Sequence, residues 1–171
     1  MAQATKVFPD RPNVRGRLVI TLVDQQIAAN TSRVRTQLFA EETSQQPTYH
    51  LDNNLPWSCS GIPGGTYSGN WHYDFRPSGN QSYTLLNSVR TVTHNADGTM
   101  SISGTAAIQG DILGNITGLT VNLVLPRIPR GPKLKYEGEY KNTVAYIKTA
   151  GEYKIAIPYL KSDGQYKIGG G

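Results

Sequence analysis

The sequence predicts an all-β fold: an immunoglobulin-like antiparallel β-sandwich followed by a short β-rich C-terminal repeat segment. Three observations predict it. Apolar and polar residues alternate with period 2 over several runs, the pattern of half-buried strands. The runs are bounded by Gly, Pro, Asn and Asp, and the chain of 171 residues holds 18 Gly and 10 Pro. Tyr (10) far outnumbers Phe (3), hydrophobic residues make up only 37%, and no capped amphipathic helix can be read anywhere.

The elements follow in order. Residues 1–14 read as an N-terminal arm, with Pro9 and Pro12 in a polar stretch. In RGRLVITLVDQQ (15–26), Leu18, Ile20 and Leu22 share one face of a strand. Asn30-Thr31-Ser32 shapes the turn that follows, through side-chain bonds to backbone. In TSRVRTQLFAEE (31–42), Val34, Thr36, Leu38 and Ala40 alternate with Arg33, Arg35, Gln37 and Phe39, so one face is wet. PWSCSGIPGGTYSGNWHYDF (56–75) reads as a short strand, a Pro-Gly-Gly turn, and a strand with Trp71, Tyr73 and Phe75 on one side. Residues 81–108 read as two strands meeting in a hairpin at Asp97-Gly98, whose φ > 0 preference suits a two-residue turn. In 116–129, Leu119, Val121, Leu123 and Leu125 form one face, and Pro126 and Pro129 end the strand. About seven short strands over residues 15–130 suit a sandwich of immunoglobulin size, with a closed barrel as the structural alternative.

Residues 131–171 carry a 13-residue repeat. GEYK (138–141), GEYK (151–154) and GQYK (164–167) recur, with AYIK (145–148) and PYLK (158–161) between them. Each unit holds two short Tyr/Lys strands and a Gly turn, and cannot bury a core alone. Seven of the eight lysines lie here.

Composition and charge exclude several function classes. The net charge of +5 is mild, no Lys/Arg run reaches four residues, and no nucleic-acid-reading motif is present, so no nucleic-acid partner is expected. No run of 18 apolar residues exists, so no membrane insertion is expected. The N-terminus has no apolar stretch for a signal peptide, which implies synthesis in a host cytoplasm. Cys59 is the only cysteine, ruling out an internal disulfide.

Candidate chemistry is sparse. His94 and Asp97 lie three apart, but one turn rule accounts for most of THNADGT, and the structural reading is preferred. His50-x-Asp52 and His72-x-Asp74 could each offer two ligands from one strand face, yet a metal site needs ligands from further strands, and no metal or cofactor is expected. No GxSxG, P-loop or HExxH occurs, and Cys59 lacks a nucleophile's context, so no catalytic residue is assigned and an enzyme is not expected. The aromatic residues are the better lead. Trp57, Tyr67, Trp71, Tyr73 and Tyr83 cluster in and around a glycine-rich loop at 61–70, where aromatic rings with Asn and Ser suit contact with a glycan or a neighbouring subunit. Trp71 and Phe75 equally suit a core. In the repeats, Tyr140, Lys141, Tyr146, Lys148, Tyr153, Lys154, Tyr159, Lys161, Tyr166 and Lys167 are candidates for assembly with other copies or for contact with an anionic wall polymer, with assembly preferred.

GRLVITLVDQQIAANTSRVRTQLFA, VRTVTHNADGTMSISGTA and LTVNLVLPRIPRG, in that order, resemble a domain of siphophage minor tail and tail-tip proteins, from phages of Gram-positive bacteria such as actinobacteria. The resemblance spans roughly residues 14–131, and THNADGT and LPRIPR are its most specific parts. The Gly-x-Tyr-Lys repeats are similar to aromatic-Lys repeats that follow such domains, often with Trp in place of Tyr. The resemblance implies a structural protein of the virion tail that takes part in host-surface attachment. The alternatives are a carbohydrate-binding receptor module and, behind it, a cell-wall-degrading accessory. It implies other phage tail proteins and host cell-wall glycan as partners, and a homo-oligomer, trimeric by analogy with fibre-like tail parts.

Overall fold

The alternating runs form strands, and their apolar faces meet. The structure, a computed structural model, describes residues 2–7, 14–42, 50–75, 82–110, 116–129, 131, 133–137, 139–142, 145–156, 159–162 and 165–168. The first eight strands are β1 (Gln3–Val7), β2 (Val14–Gln26), β3 (Thr31–Glu42), β4 (His50–Ile62), β5 (Gly65–Asp74), β6 (Ser82–Thr93), β7 (Ser101–Ile108) and β8 (Ile116–Val124). They build an antiparallel β-sandwich of two four-stranded sheets, ordered β1-β2-β3-β6 and β5-β4-β7-β8. β3 pairs with β6 and β4 with β7, while the chain changes sheet between β3 and β4, between β5 and β6 and between β6 and β7. The central pairs are therefore interlocked. On one side β1 lies against β8, and on the other β5 lies against β6.

The core follows the predicted faces. Leu18, Ile20 and Leu22 of β2 and Val34, Leu38 and Ala40 of β3 pack against Cys59 and Ile62 of β4, Trp71 and Tyr73 of β5 with Phe75 beyond it, Ile102, Ala106 and Ile108 of β7, and Val121 and Leu123 of β8 with Leu125 beyond it. Each fully buried Leu, Ile or Phe contributes about 1.5–3 kcal/mol of transfer free energy. The side chain of Leu119 lies outside the described residues. Gly104 of β7 leaves room for side chains of both sheets: a Cβ there would stand 2.6 Å from Ile62 Cγ2 on the neighbouring β4 and 3.0 Å from Ile20 Cδ1 on β2 of the opposite sheet.

Several expectations are corrected. Residues 3–7 of the predicted arm form β1, which adds to the edge of β2; residues 8–13 lie outside the described ones. β4 begins at His50 rather than near 56. The glycine-rich loop of 61–70 contracts to a tight Pro63-Gly64 turn, because Ile62 already pairs with Gly65, where β5 begins. The largest correction concerns THNADGT. β6 and β7 do not pair as a hairpin; each belongs to a different sheet. The turn itself forms, with Gly98 N–H donating to Asn95 O and Asn95 N–H to Thr99 O, both 2.9 Å, and Gly98 at φ 83°. Beyond it the strands diverge, since β6 completes its ladder on β3 and β7 on β4.

The repeat segment forms three two-stranded hairpins: β9 (Lys133–Tyr136) with β10 (Glu139–Asn142), β11 (Ala145–Thr149) with β12 (Glu152–Ala156), and β13 (Tyr159–Ser162) with β14 (Gln165–Ile168). Their registers match, setting Lys135 opposite Tyr140, Lys148 opposite Tyr153 and Lys161 opposite Tyr166. In the middle hairpin Ala150 (φ 51°) and Gly151 (φ 87°) both sit at positive φ, as a type I′ turn demands.

Candidate functional site

The motif corner is structural. Asn30 takes φ 56° at the end of the β2–β3 turn, and its Nδ2 donates to His94 O (2.9 Å) and Asn95 O (3.1 Å). The His94 ring is buried, with Nδ1 2.8 Å from Gly98 O and Nε2 2.7 Å from Ser32 Oγ. A carbonyl only accepts, so Nδ1 carries the hydrogen, and in the neutral ring Nε2 accepts from Ser32. Gln25 Nε2 donates to Ser32 Oγ (3.3 Å) and to Pro126 O (2.8 Å). Gly98 O also accepts Ile128 N–H (2.9 Å), and Arg127 Nε donates to Asp97 O (2.7 Å). THNADGT, LPRIPR and the Asn30 turn are thus one hydrogen-bonded unit. Asp97 Oδ1 accepts from Thr99 Oγ1 (2.7 Å) and Thr99 N–H (2.9 Å), which hold its carboxyl below the usual carboxylate range. His94 and Asp97 spend their polar atoms on different partners and do not form an acid–base pair.

The aromatic residues divide into core and seam. Trp71 and Tyr73 are 5% and 1% exposed and belong mainly to the core. They stack with Phe75 and Tyr83, and Trp71 Nε1 donates to Gln109 O (2.9 Å). Tyr67 is spent on a latch between the edge strands β5 and β6: its hydroxyl meets Ser88 Oγ (3.2 Å) and accepts from Arg90 Nε (3.0 Å). These two contacts, Ser88 first, lower its pKa from the ordinary tyrosine value. A second latch closes the other end of the seam, where Tyr83 OH accepts Asp74 N–H (2.9 Å) and donates to Asp74 O (3.1 Å).

Between the latches lies a groove of about 300 Å³. Trp57 of β4 reaches it across β5, where its register partner is Gly69. A Cβ at Gly69 would stand 2.9 Å from Trp57 Nε1 and 3.0 Å from Cε2 and Cζ2, so only glycine leaves the indole room. Asn70, Trp71, His72, Tyr83, Thr84 and Leu85 also line the groove. Sequence reasoning named Trp57, Trp71 and Tyr83 and put Gly69 and Asn70 in the candidate loop, but it took His72 only as a possible metal ligand and missed Thr84 and Leu85, because their proximity depends on which strands lie at the two edges.

The structure also places the repeat candidates. Tyr146 (55% exposed), Ile147 (55%) and Tyr153 (72%) stand in solvent on β11 and β12. Lys148 Nζ lies 5.5 Å from the Tyr153 ring centroid, and Lys154 is exposed opposite Ile147. The side chains of Tyr140, Lys141, Tyr159, Lys161, Tyr166 and Lys167 lie outside the described residues. Among the described residues, no three His, Cys, Asp or Glu come together as a metal-binding group, and no helix is long and apolar enough to cross a membrane. Cys59 is buried, and desolvation pushes its thiol up to about 11, far from a reactive thiolate.

No curated protein and no solved structure matches the chain. A family model matches residues 9–160, from the segment before β2 through the second hairpin to the start of β13. The chain therefore belongs to the family described as "Siphovirus protein of unknown function (DUF859)".

Proposed function

We propose that this siphovirus protein is a non-enzymatic structural component of the virion, placed at the tail tip, where copies assembled through the C-terminal hairpins present the sandwich to the host surface. The interlocked β3·β6 and β4·β7 pairs support the immunoglobulin-like form of the sandwich. One observation carries the assembly reading: the β11–β12 hairpin exposes apolar side chains on both of its faces. Tyr146 and Tyr153 lie on one face with Lys148, while Ile147 lies on the other. A two-stranded hairpin is marginal in water by itself, and one with both faces apolar gains most when covered on both sides. Three hairpins of one register, repeated on every copy, suit packing against other copies, with a trimer as the expected number and other tail proteins as further partners.

Attachment through such an assembly needs no tight single contact. Repetition by symmetry raises avidity by about 10²–10⁴ over one site. The test is adsorption of the full-length protein to host envelopes, compared with a Tyr146→Ser, Ile147→Ser, Tyr153→Ser variant. The expected result is specific adsorption by the wild type and a loss of at least about 10² in apparent affinity for the variant. Equal adsorption by both proteins contradicts the role given to the hairpins.

A further inference from the structure

We infer that the groove between β5 and β6 is a binding site for a neutral saccharide, one or two rings long, with Trp57 as its aromatic wall. The inference rests on the attachment reading and names the class of ligand. Four observations carry it. First, both ends of the seam are closed by tyrosine hydroxyls, Tyr67 on Ser88 and Tyr83 on Asp74, so the opening between them is held in shape. Second, Gly69 leaves the space that the indole of Trp57 occupies; any other side chain would collide with it. Third, Trp57 Nε1, Asn70, His72 and Thr84 make no side-chain hydrogen bond to another described residue, leaving donors and acceptors around an aromatic ring. Fourth, none of the described lining residues is Asp, Glu, Lys or Arg.

The fourth point selects the ligand. A phosphate or a phosphodiester polymer calls for Arg or Lys, which this groove lacks. A peptide backbone would take an open strand edge, but here the two edges face and latch each other. A sugar ring presents weakly positive C–H groups to the negative face of an indole and hydroxyls around its rim. At about 300 Å³ the groove is at the small end of ligand sites, which limits it to one or two rings.

The chain has only two tryptophans, and both line the groove, but Trp71 is 5% exposed with its Nε1 bonded to Gln109 O, so its signal should respond less than that of Trp57. Full-length protein labelled with 5-fluorotryptophan therefore gives two fluorine signals. The probes are glucose, galactose, arabinose and N-acetylglucosamine with their short oligomers, and inorganic phosphate as the anionic comparison. At least one neutral saccharide is expected to shift the Trp57 signal saturably and more than that of Trp71, with phosphate inert. Gly69→Val is expected to abolish the shift. Asn70→Ala and His72→Ala, at exposed positions that the fold does not use, are each expected to weaken binding about tenfold. No shift at Trp57 with any saccharide, or a shift unaltered in all three variants, overturns the inference. Envelope adsorption measured on the same samples separates the two ideas. Adsorption that persists without saccharide binding defeats the groove and leaves attachment standing. Saccharide binding without adsorption does the reverse.

Discussion

At the residue scale, His94 shows how a motif that resembles chemistry can serve structure. Its ring joins β3, through Ser32, to the turn at Gly98, and its backbone N–H donates to Asn30 O at 2.9 Å. A buried polar group of this kind is costly to orphan. His94→Ala removes the acceptor of the buried Ser32 hydroxyl, which keeps only the bond from Gln25, and leaves a void at the corner where three sequence blocks meet. The expected loss is about 1–3 kcal/mol in chemical denaturation. Envelope adsorption by the folded variant at low temperature should be unchanged, because the ring faces no ligand surface. The histidine and its turn were legible in the sequence. The partner Ser32 was not, since nothing local in THNADGT specifies which strand its ring will meet.

At the element scale, the lesson is about register and pairing. Period-2 alternation marked β2, β3, β5 and β8 because each has one face in the core. It did not reveal that β6 and β7 part company, since a turn with Gly98 at φ 83° is equally compatible with paired and diverging strands. The pairing is decided by distant ladders, β3 with β6 and β4 with β7. The groove was hidden for a related reason. The Pro63-Gly64 turn pairs Ile62 with Gly65, which by simple counting sets Trp57 opposite Asn70. A bulge shifts the register so that Trp57 meets Gly69 instead. The bulge contains Gly61 at φ 72°, where a Cβ would stand 2.2 Å from Ser103 O. The hairpins were more legible, because their 13-residue repeat fixes turn and strands together. Their turns are not optimal: Ala150 sits at φ 51°, in a region that L residues with a Cβ enter at a cost of roughly 1–2 kcal/mol. Ala150→Gly should relieve part of that cost and slow amide hydrogen exchange across β11 and β12. Faster exchange would argue against the I′ turn.

At the scale of the whole molecule, paired carboxylates make stability depend on pH. Glu41 is held below the usual carboxylate range by Arg17, whose Nε lies 2.9 Å from its Oε1, and by Arg15 at 3.1 Å, against an opposing push from desolvation. Arg33 does the same for Asp24, and Thr99 for Asp97. A carboxyl with a depressed folded-state pKa adds stability above its unfolded pKa, about 4, and loses it as pH falls through the folded value. Melting temperature should thus be flat near neutrality and decline below about pH 4. Replacing Glu41 by Gln should flatten that decline, which differential scanning calorimetry would show.

The assembly of copies through the hairpins is most directly tested by native mass in solution. The 171-residue chain, 18.7 kDa as a single copy, should run at an integral multiple of that mass by light scattering, three-fold for a trimer. The Tyr146→Ser, Ile147→Ser, Tyr153→Ser variant should fall to single-copy mass with its β-sheet circular dichroism intact. A monomeric wild type, or a variant that keeps the multiple, would contradict it.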